Sequence, residues 1–428
     1  MNTDEMSSPT GKDLFHTFGR IGVLSFGGPA AQIALMHKVL VDERSWLSEK
    51  QYLNALSFCM LLPGPEAMQL ATYAGWRMRG VIGGLLAGLL FVLPGAFVIL
   101  ALASIYAYFG DVPLMAALFL GVKATVLIIV IEALLKVSKR ALKRTIHWVM
   151  AVIAFVGIFF LSLPFPVIVL GAGLYGFFLS SSDVATDEVP SKLETSDFLK
   201  SIKTIVVWLF IWIAPLFLVD LIFEIEILNA LAGFFSKLAV VTFGGAYAVL
   251  AYMAQDVVTQ FGWLTAGEMM DGLGLAETTP GPLILVTEFV GFLAAFKEGG
   301  FALGVLGAIV TLWVTFVPCF LWIFTGAPYI EWISAQPRLS SALSMITAAV
   351  VGVILNLSIW FGLHVFFENV SRQEVGILTL WVPDFASLNW HVFFLSALAA
   401  LLLLRFKIGL LKVLALSACL GWVLSSFG

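Results

Sequence analysis

The sequence predicts an all-α polytopic membrane protein made of two inverted-topology repeats. Each repeat holds two broken or re-entrant hairpins and about four spanning helices, and an extra spanning helix joins them. Three observations carry this prediction. The first is composition: of 428 residues, 61% are hydrophobic and 12% charged, where a soluble chain has about 45–50% apolar and about 25% charged residues. So few charges cannot cover a water-facing surface of this size, which excludes a soluble enzyme, a nucleic-acid binder and a disordered scaffold. The second is a series of apolar runs near the roughly 20 residues that a spanning helix needs. The third is self-similarity at a fixed offset between the two halves.

The first thirteen residues, MNTDEMSSPTGKD, are polar and carry three acids. A secretory signal has a basic start and an apolar core, so insertion falls to internal segments. Apolar runs follow at 81–109, 113–137, 145–162, 164–181, 203–223, 300–326, 338–363, 389–404 and 409–427. Pro94, Pro215 and Pro318 lie inside such runs, where neighbouring helices satisfy the freed carbonyls. The pairs 145–162/164–181 and 389–404/409–427 read as short helical hairpins.

Four more apolar segments break near their middles, at Gly27-Gly28-Pro29, Pro63-Gly64-Pro65, Gly244-Gly245 and Pro280-Gly281-Pro282. Arms of about 13–16 residues reach only about 20–24 Å, short of the roughly 30 Å hydrocarbon core. Each segment is either one kinked span or a hairpin that enters and returns. With four hairpins and a cytoplasmic N-terminus, 18 of the 23 Lys and Arg residues fall inside. Lys237, Lys297 and Arg372 fall outside, and Arg20 and Lys123 lie at membrane depth. The positive-inside rule favours this arrangement, because kinked spans would move Lys38, Arg44 and Lys50 outside.

An offset of 217 superimposes Phe26-Gly27-Gly28 on Phe243-Gly244-Gly245, Trp46-Leu47 on Trp263-Leu264, and Pro63-Gly64-Pro65 on Pro280-Gly281-Pro282. Past residue 75 the second half needs about seven extra residues to bring Pro318 onto Pro94. The domains read as a tail (1–13), a first repeat (14–181), an acidic cytoplasmic linker (182–202), a connecting span (203–223) and a second repeat (228–428). The odd connecting span inverts the second repeat, an arrangement typical of secondary transporters with a midplane site where broken helices meet.

A helix starting inside the membrane presents unpaired N–H groups and a partial positive charge. Pro29, Pro65 and Pro282 suit first helical turns, and glycines allow close approach to the backbone. Four such starts make a candidate anion site, comprising Gly27, Gly28, Pro29, Pro63, Gly64, Pro65, Gly244, Gly245, Pro280, Gly281 and Pro282. Taken singly, each motif also reads as a plain kink. A cation at membrane depth faces a partner or a cavity, so Arg20 and Lys123 are read either as substrate attractors or as members of structural pairs. Glu66, Glu277 and Glu288 are candidates for proton coupling, although Glu66 also fits a carboxylate capping its own helix. The five histidines show no ligand spacing. Cys59, Cys319 and Cys419 are far apart, with no CxxC pair, so neither metal nor cofactor is expected. No GxSxG, HExxH or Walker loop is present, so the chain does not read as an enzyme.

The stretches FGRIGVLSFGGPAAQI, DERSWLSEKQY and LPGPEAMQLATYAGWRMRGVIGGLLAG resemble the chromate ion transporter family, long two-domain form. VTFGGAYAVLAYMAQ and GWLTAGEMMDGLGLAETTPGPL resemble its second repeat. The likeness covers about residues 14–137 and 234–363. The second repeat departs from FGGP by carrying Ala246 in place of proline. The resemblance implies chromate efflux across a bacterial-type inner membrane and chromate resistance, with sulfate a chemically similar dianion. Its motif falls on Gly27, Gly28, Pro29, Pro63, Gly64, Pro65 and Glu66, with Arg20 upstream. The implied partners are a small inorganic oxyanion and the bilayer, with no nucleic acid; a homodimer is left open. A cysteine in place of Lys38 or Arg44 should react with an impermeant maleimide from the cytoplasmic face, and labelling from outside would replace the hairpins with kinked spans.

Overall fold

The computed structural model describes residues 9–110, 112–179, 195–241, 243, 246–330, 333 and 336–426. Most of the acidic linker, Gly244 and Gly245 lie outside these residues. The helices are α1 (Gly11–Leu24), α2 (Gly28–His37), α3 (Glu49–Leu61), α4 (Glu66–Phe109), α5 (Pro113–Ala141), α6 (Thr145–Phe159) and α7 (Phe165–Leu179). They continue as α8 (Thr195–Phe223), α9 (Glu226–Val241), α10 (Ala246–Gln255), α11 (Ala266–Thr278), α12 (Val286–Gly326) and α13 (Pro337–Phe366). The chain closes with α14 (Trp390–Ala400) and α15 (Leu410–Ser426).

Five helices among the described residues are long and apolar enough to cross a membrane: α4, α5, Lys200–Ile222 in α8, the stretch Leu283–Tyr329 containing α12, and α13. The protein is therefore an α-helical, multi-pass membrane protein. α6 and α7 have 15 residues each, about 22 Å at 1.5 Å per residue, less than a hydrocarbon core.

Among the described residues, one departure from an all-α chain follows α13. Strands β1 (Val370–Val375) and β2 (Leu378–Pro383) pair antiparallel around Gly376. Thr379 N donates to the Phe160 carbonyl at 2.7 Å, and the Ser162 and Thr379 hydroxyls lie 2.9 Å apart. The hairpin thus docks on the α6–α7 turn.

Sequence explains the helix starts. Thr10 and Asp13 form a reciprocal capping box at α1, as do Ser48 and Gln51 at α3. The bonds from Thr10 hold the Asp13 carboxyl below its ordinary range. Each box satisfies two otherwise orphaned donors.

α4 is two helices. Arg79 (φ −141°, ψ 31°) and Gly80 (φ 60°, ψ −154°) leave helical geometry, and only glycine adopts such a positive φ without strain. Beyond this turn the chain doubles back. A Cβ on Gly75 would strike the Gly83 carbonyl, and one on Gly88 would meet Thr72 Oγ1. α12 turns in the same way at Gly299 (φ −144°, ψ 19°) and Gly300 (φ 74°, ψ −164°). There Gly291 and Gly307 are each pressed against the other's carbonyl. Small residues let membrane helices approach to backbone contact. Eight residues separate Gly75 from Gly83, and sixteen separate Gly291 from Gly307. The surplus is close to two helical turns at 3.6 residues each, one per arm.

The chain divides into two compact units, each drawn from both halves. One contains 1–101, 181–246 and 279–340; the other contains 102–180, 247–278 and 341–428. In the first unit Gly22 of α1 lies against the Leu90 carbonyl of α4, and Trp313 Nε1 of α12 donates to Trp212 O of α8 at 3.1 Å. In the second, Gly121 of α5 abuts Ser417 of α15, and Gly352 of α13 abuts Ala151 of α6.

The packing argument predicts opposite effects at two glycines. Gly307→Leu should destabilise the protein by at least about 1–3 kcal/mol through overpacking. Gly233→Ala, on an exposed helical site with nothing within 4 Å, should be neutral or stabilising by up to about 1 kcal/mol. Thermal melting in lipid nanodiscs compares the two.

Candidate functional site

The FGGP break is a short loop of defined geometry. Ser25 ends α1, Gly27 and Gly28 take φ 85° and 78°, and Pro29 enters the first turn of α2. A β-carbon at Gly28 would be strained. No side chain caps α2, so its N-terminal dipole is left to the surroundings.

This break meets the Pro280-Gly281-Pro282 break inside one compact unit. Gly281 N donates to Ser25 O at 2.8 Å. Gln32 Nε2, one turn into α2, donates to Gly281 O at 2.6 Å and to Ser25 O at 3.4 Å. Gln32 is 1% exposed, and its Oε1 has no hydrogen-bond partner. Two segments 249 residues apart in sequence are thus held by two hydrogen bonds, and the third braces the FGGP loop internally.

Each Pro-Gly-Pro also packs on the long helix of the other half. A Cβ on Gly95, which follows Pro94 in α4, would strike the Pro280 carbonyl, and Gly281 lies against Gly95 and Phe91. Reciprocally, a Cβ on Gly64 would come within 3.0 Å of the Sγ of Cys319, which follows Pro318 in α12. Gln69 Nε2 braces this break by donating to Pro63 O at 2.6 Å, and its Oε1 is orphaned as well. Gly95 lies midway along the 81–109 stretch of α4, so the second Pro-Gly-Pro sits level with the middle of a spanning helix.

The structure sorts the other candidates. Arg20 is not enclosed: its side chain is 63% exposed and lies 3.7 Å from Glu43. Glu66 opens α4 directly after Pro65 and is half-buried. Glu288 lies in the first turn of α12, is 1% exposed, and its Oε2 has no partner. Glu277 and Lys123 belong to the second unit. Glu277 accepts from the Tyr247 hydroxyl at 2.9 Å, and Lys123 pairs with Asp271 at 3.3 Å. The described residues include no cluster of His, Cys, Asp and Glu fit for a metal.

Sequence reading missed Gln32, Gln69, Gly95 and Cys319. A signal existed for the glutamines: each is a polar residue one turn past a break in an apolar helix. Gly95 and Cys319 follow the two prolines that the offset aligns, which the sequence alone presents only as kinks.

Comparison with known proteins identifies the family. The family described as Chromate transporter matches residues 12–177 and 229–422. A chromate transport protein of Pseudomonas aeruginosa is 30% identical over 419 residues, 96% of this chain and 91% of that protein. A probable chromate transport protein of Synechococcus elongatus is 29% identical over 370 residues, covering 86% and 88%. A shorter uncharacterized transporter of Bacillus subtilis is 31% identical over 140 residues, 33% of this chain and 78% of its own length. No solved structure matches the chain. With the family pattern spanning both halves, and a relative 30% identical over 96% of this chain, the chain belongs to the chromate transporter family.

Proposed function

We propose that this protein is a secondary transporter that exports chromate, or a similar tetrahedral oxyanion such as sulfate, across a bacterial plasma membrane. The observation that carries the reading is the junction of the FGGP break with the second Pro-Gly-Pro break, bonded through Ser25, Gln32 and Gly281. The passenger binds at this junction, where the N-terminus of α2, which no side chain caps, offers N–H donors without a fixed cation. Such donors suit a weakly basic dianion that must be released again.

The two halves act as inverted repeats. Supporting this are the matching turns at Arg79-Gly80 and Gly299-Gly300, and the reciprocal packing of each Pro-Gly-Pro on the other half's long helix. Orientation follows the basic residues, with the N-terminus cytoplasmic. The β1–β2 hairpin and the α6–α7 turn then share the outer face, consistent with the hydrogen bond between them. The start of α6 and the start of α13 share the inner face, consistent with the 3.4 Å contact of His147 with Ser344.

Energetics favour export. A dianion leaving a negative-inside cell gains about 2 × 2.3 kcal/mol per 100 mV, enough for a gradient of about three orders of magnitude. Proton coupling is not required by this arithmetic, and Glu66, Glu277 and Glu288 stay as candidates for it.

Chromate flux in reconstituted vesicles, competed with sulfate, phosphate and small carboxylates, tests the reading. Saturable flux with counter-flow and competition by sulfate is the expected result. Flux of small carboxylates with none of chromate would replace it with a carrier for another anion. Non-saturable flux without counter-flow would replace it with a channel. Gly28→Val should lower chromate flux by about tenfold or more, since strain of about 1–3 kcal/mol falls on the binding loop. Gln32→Leu leaves the Gly281 carbonyl without its donor, a loss of about 1–3 kcal/mol. It should lower both flux and melting temperature, and unchanged values would remove Gln32 from the junction.

A further inference from the structure

A second polar cluster lies in the other compact unit, built from α4, α5 and α11. Lys123 Nζ approaches Asp271 Oδ2 at 3.3 Å, and the Tyr106 hydroxyl donates to the same oxygen at 2.8 Å. The cluster is lopsided. The Asp271 side chain is 4% exposed and its Oδ1 has no hydrogen-bond partner, whereas the Lys123 side chain is 28% exposed. The carboxylate is sealed and the ammonium opens onto accessible space. Lys123 has three N–H donors, and Asp271 is the one acceptor recorded for them among the described residues. Gly267 stands where a side chain would crowd the ammonium, its Cβ position being 3.1 Å from Nζ.

A purely structural pair would be expected to satisfy both carboxylate oxygens and to bury both partners, because removing two charges from water is repaid only by good geometry. Here one oxygen is orphaned and the cation is left reachable. The offset that aligns the halves places uncharged Asn54 and Thr347 opposite Asp271 and Lys123. The pair therefore joins one residue from each half, and its symmetry mate is uncharged, so it is not a requirement of the repeat.

We propose that Lys123, with the Tyr106 hydroxyl beside it, is a second oxyanion-binding station, and that Asp271 is its resident counter-charge, displaced from Lys123 when an anion binds. A tetrahedral oxyanion supplies the acceptors that the spare ammonium hydrogens lack. Gly267 leaves room for it, and Asp271 lowers affinity enough for the anion to leave. This deepens the transport reading and rests on it for the identity of the anion.

The test is a charge cycle in the full-length protein, read by vesicle flux and by thermal protection with added chromate or sulfate. Lys123→Gln should raise the half-saturating chromate concentration by about tenfold, as expected for loss of a charge-assisted contact. Asp271→Asn should lower it several-fold, because the counter-charge is gone. The decisive variant is Lys123→Gln combined with Asp271→Asn, which leaves no unpaired charge and so removes the main obstacle to folding. It should remain as weak as Lys123→Gln. Recovery of wild-type affinity in the double variant would show a mutual neutralisation pair and overturn the proposal, as would Asp271→Asn behaving like Lys123→Gln. The protection arm needs no chromate flux. Wild-type protein that is protected by sulfate, loses protection with Lys123→Gln, yet moves no chromate would overturn the choice of cargo and uphold the station.

Discussion

The structure depends on one constraint: a chain broken inside an apolar bundle must find partners for its exposed backbone groups without water. Lipid offers no acceptor or donor. The protein answers by letting the breaks satisfy one another. The Gly281 amide goes to the Ser25 carbonyl, and the Gln32 amide supplies the donors that Gly281 O and Ser25 O need. Gln69 does the same locally for Pro63. Each glutamine carries a donor and an acceptor group, and in both the carbonyl oxygen is left over. The breaks are stable because they are paired, and the pairing fixes where the second Pro-Gly-Pro lies along α4.

That position requires close approach, which explains the distribution of small residues. Gly22 admits the Leu90 carbonyl, Gly95 admits Pro280, and the glycines flanking the turns in α4 and α12 let their arms touch along the backbone. In membranes such contacts rest on van der Waals packing, since burying apolar surface yields little there. A methyl group at these points displaces a carbonyl, not a flexible side chain, so the junction tolerates little change in volume.

Much of this was legible in the sequence. The runs 81–109, 113–137 and 338–363 became spanning helices because length and apolarity decide that outcome locally. The breaks at Gly27-Gly28-Pro29, Pro63-Gly64-Pro65 and Pro280-Gly281-Pro282 were visible because Gly and Pro punctuate helices regardless of context. The reciprocal packing was not legible. Gln32 finds its partner 249 residues away, and nothing local marks which buried glutamine will brace a distant carbonyl. Arg20 reads as a cation at depth because its neighbours are apolar, and its 3.7 Å approach to Glu43 is a contact that no spacing announces. Lys123 pairs with Asp271 through a contact between α5 and α11 that no spacing announces. The β1–β2 hairpin escaped notice because its alternating pattern is short and mostly exposed.

The interleaving of the two compact units bears on how the protein is made. When the ribosome has passed residue 223, neither unit holds all its parts, because one still lacks 224–246 and 279–340 and the other lacks 247–278 and 341–428. The early helices must therefore wait in the bilayer with their small-residue faces unmatched. The first assembly closes only once Ser340 has emerged, and the second only once the 341–428 segment has followed. Late helices such as α12 and α15 act as the closing pieces, so truncation near the C-terminus harms elements laid down hundreds of residues earlier.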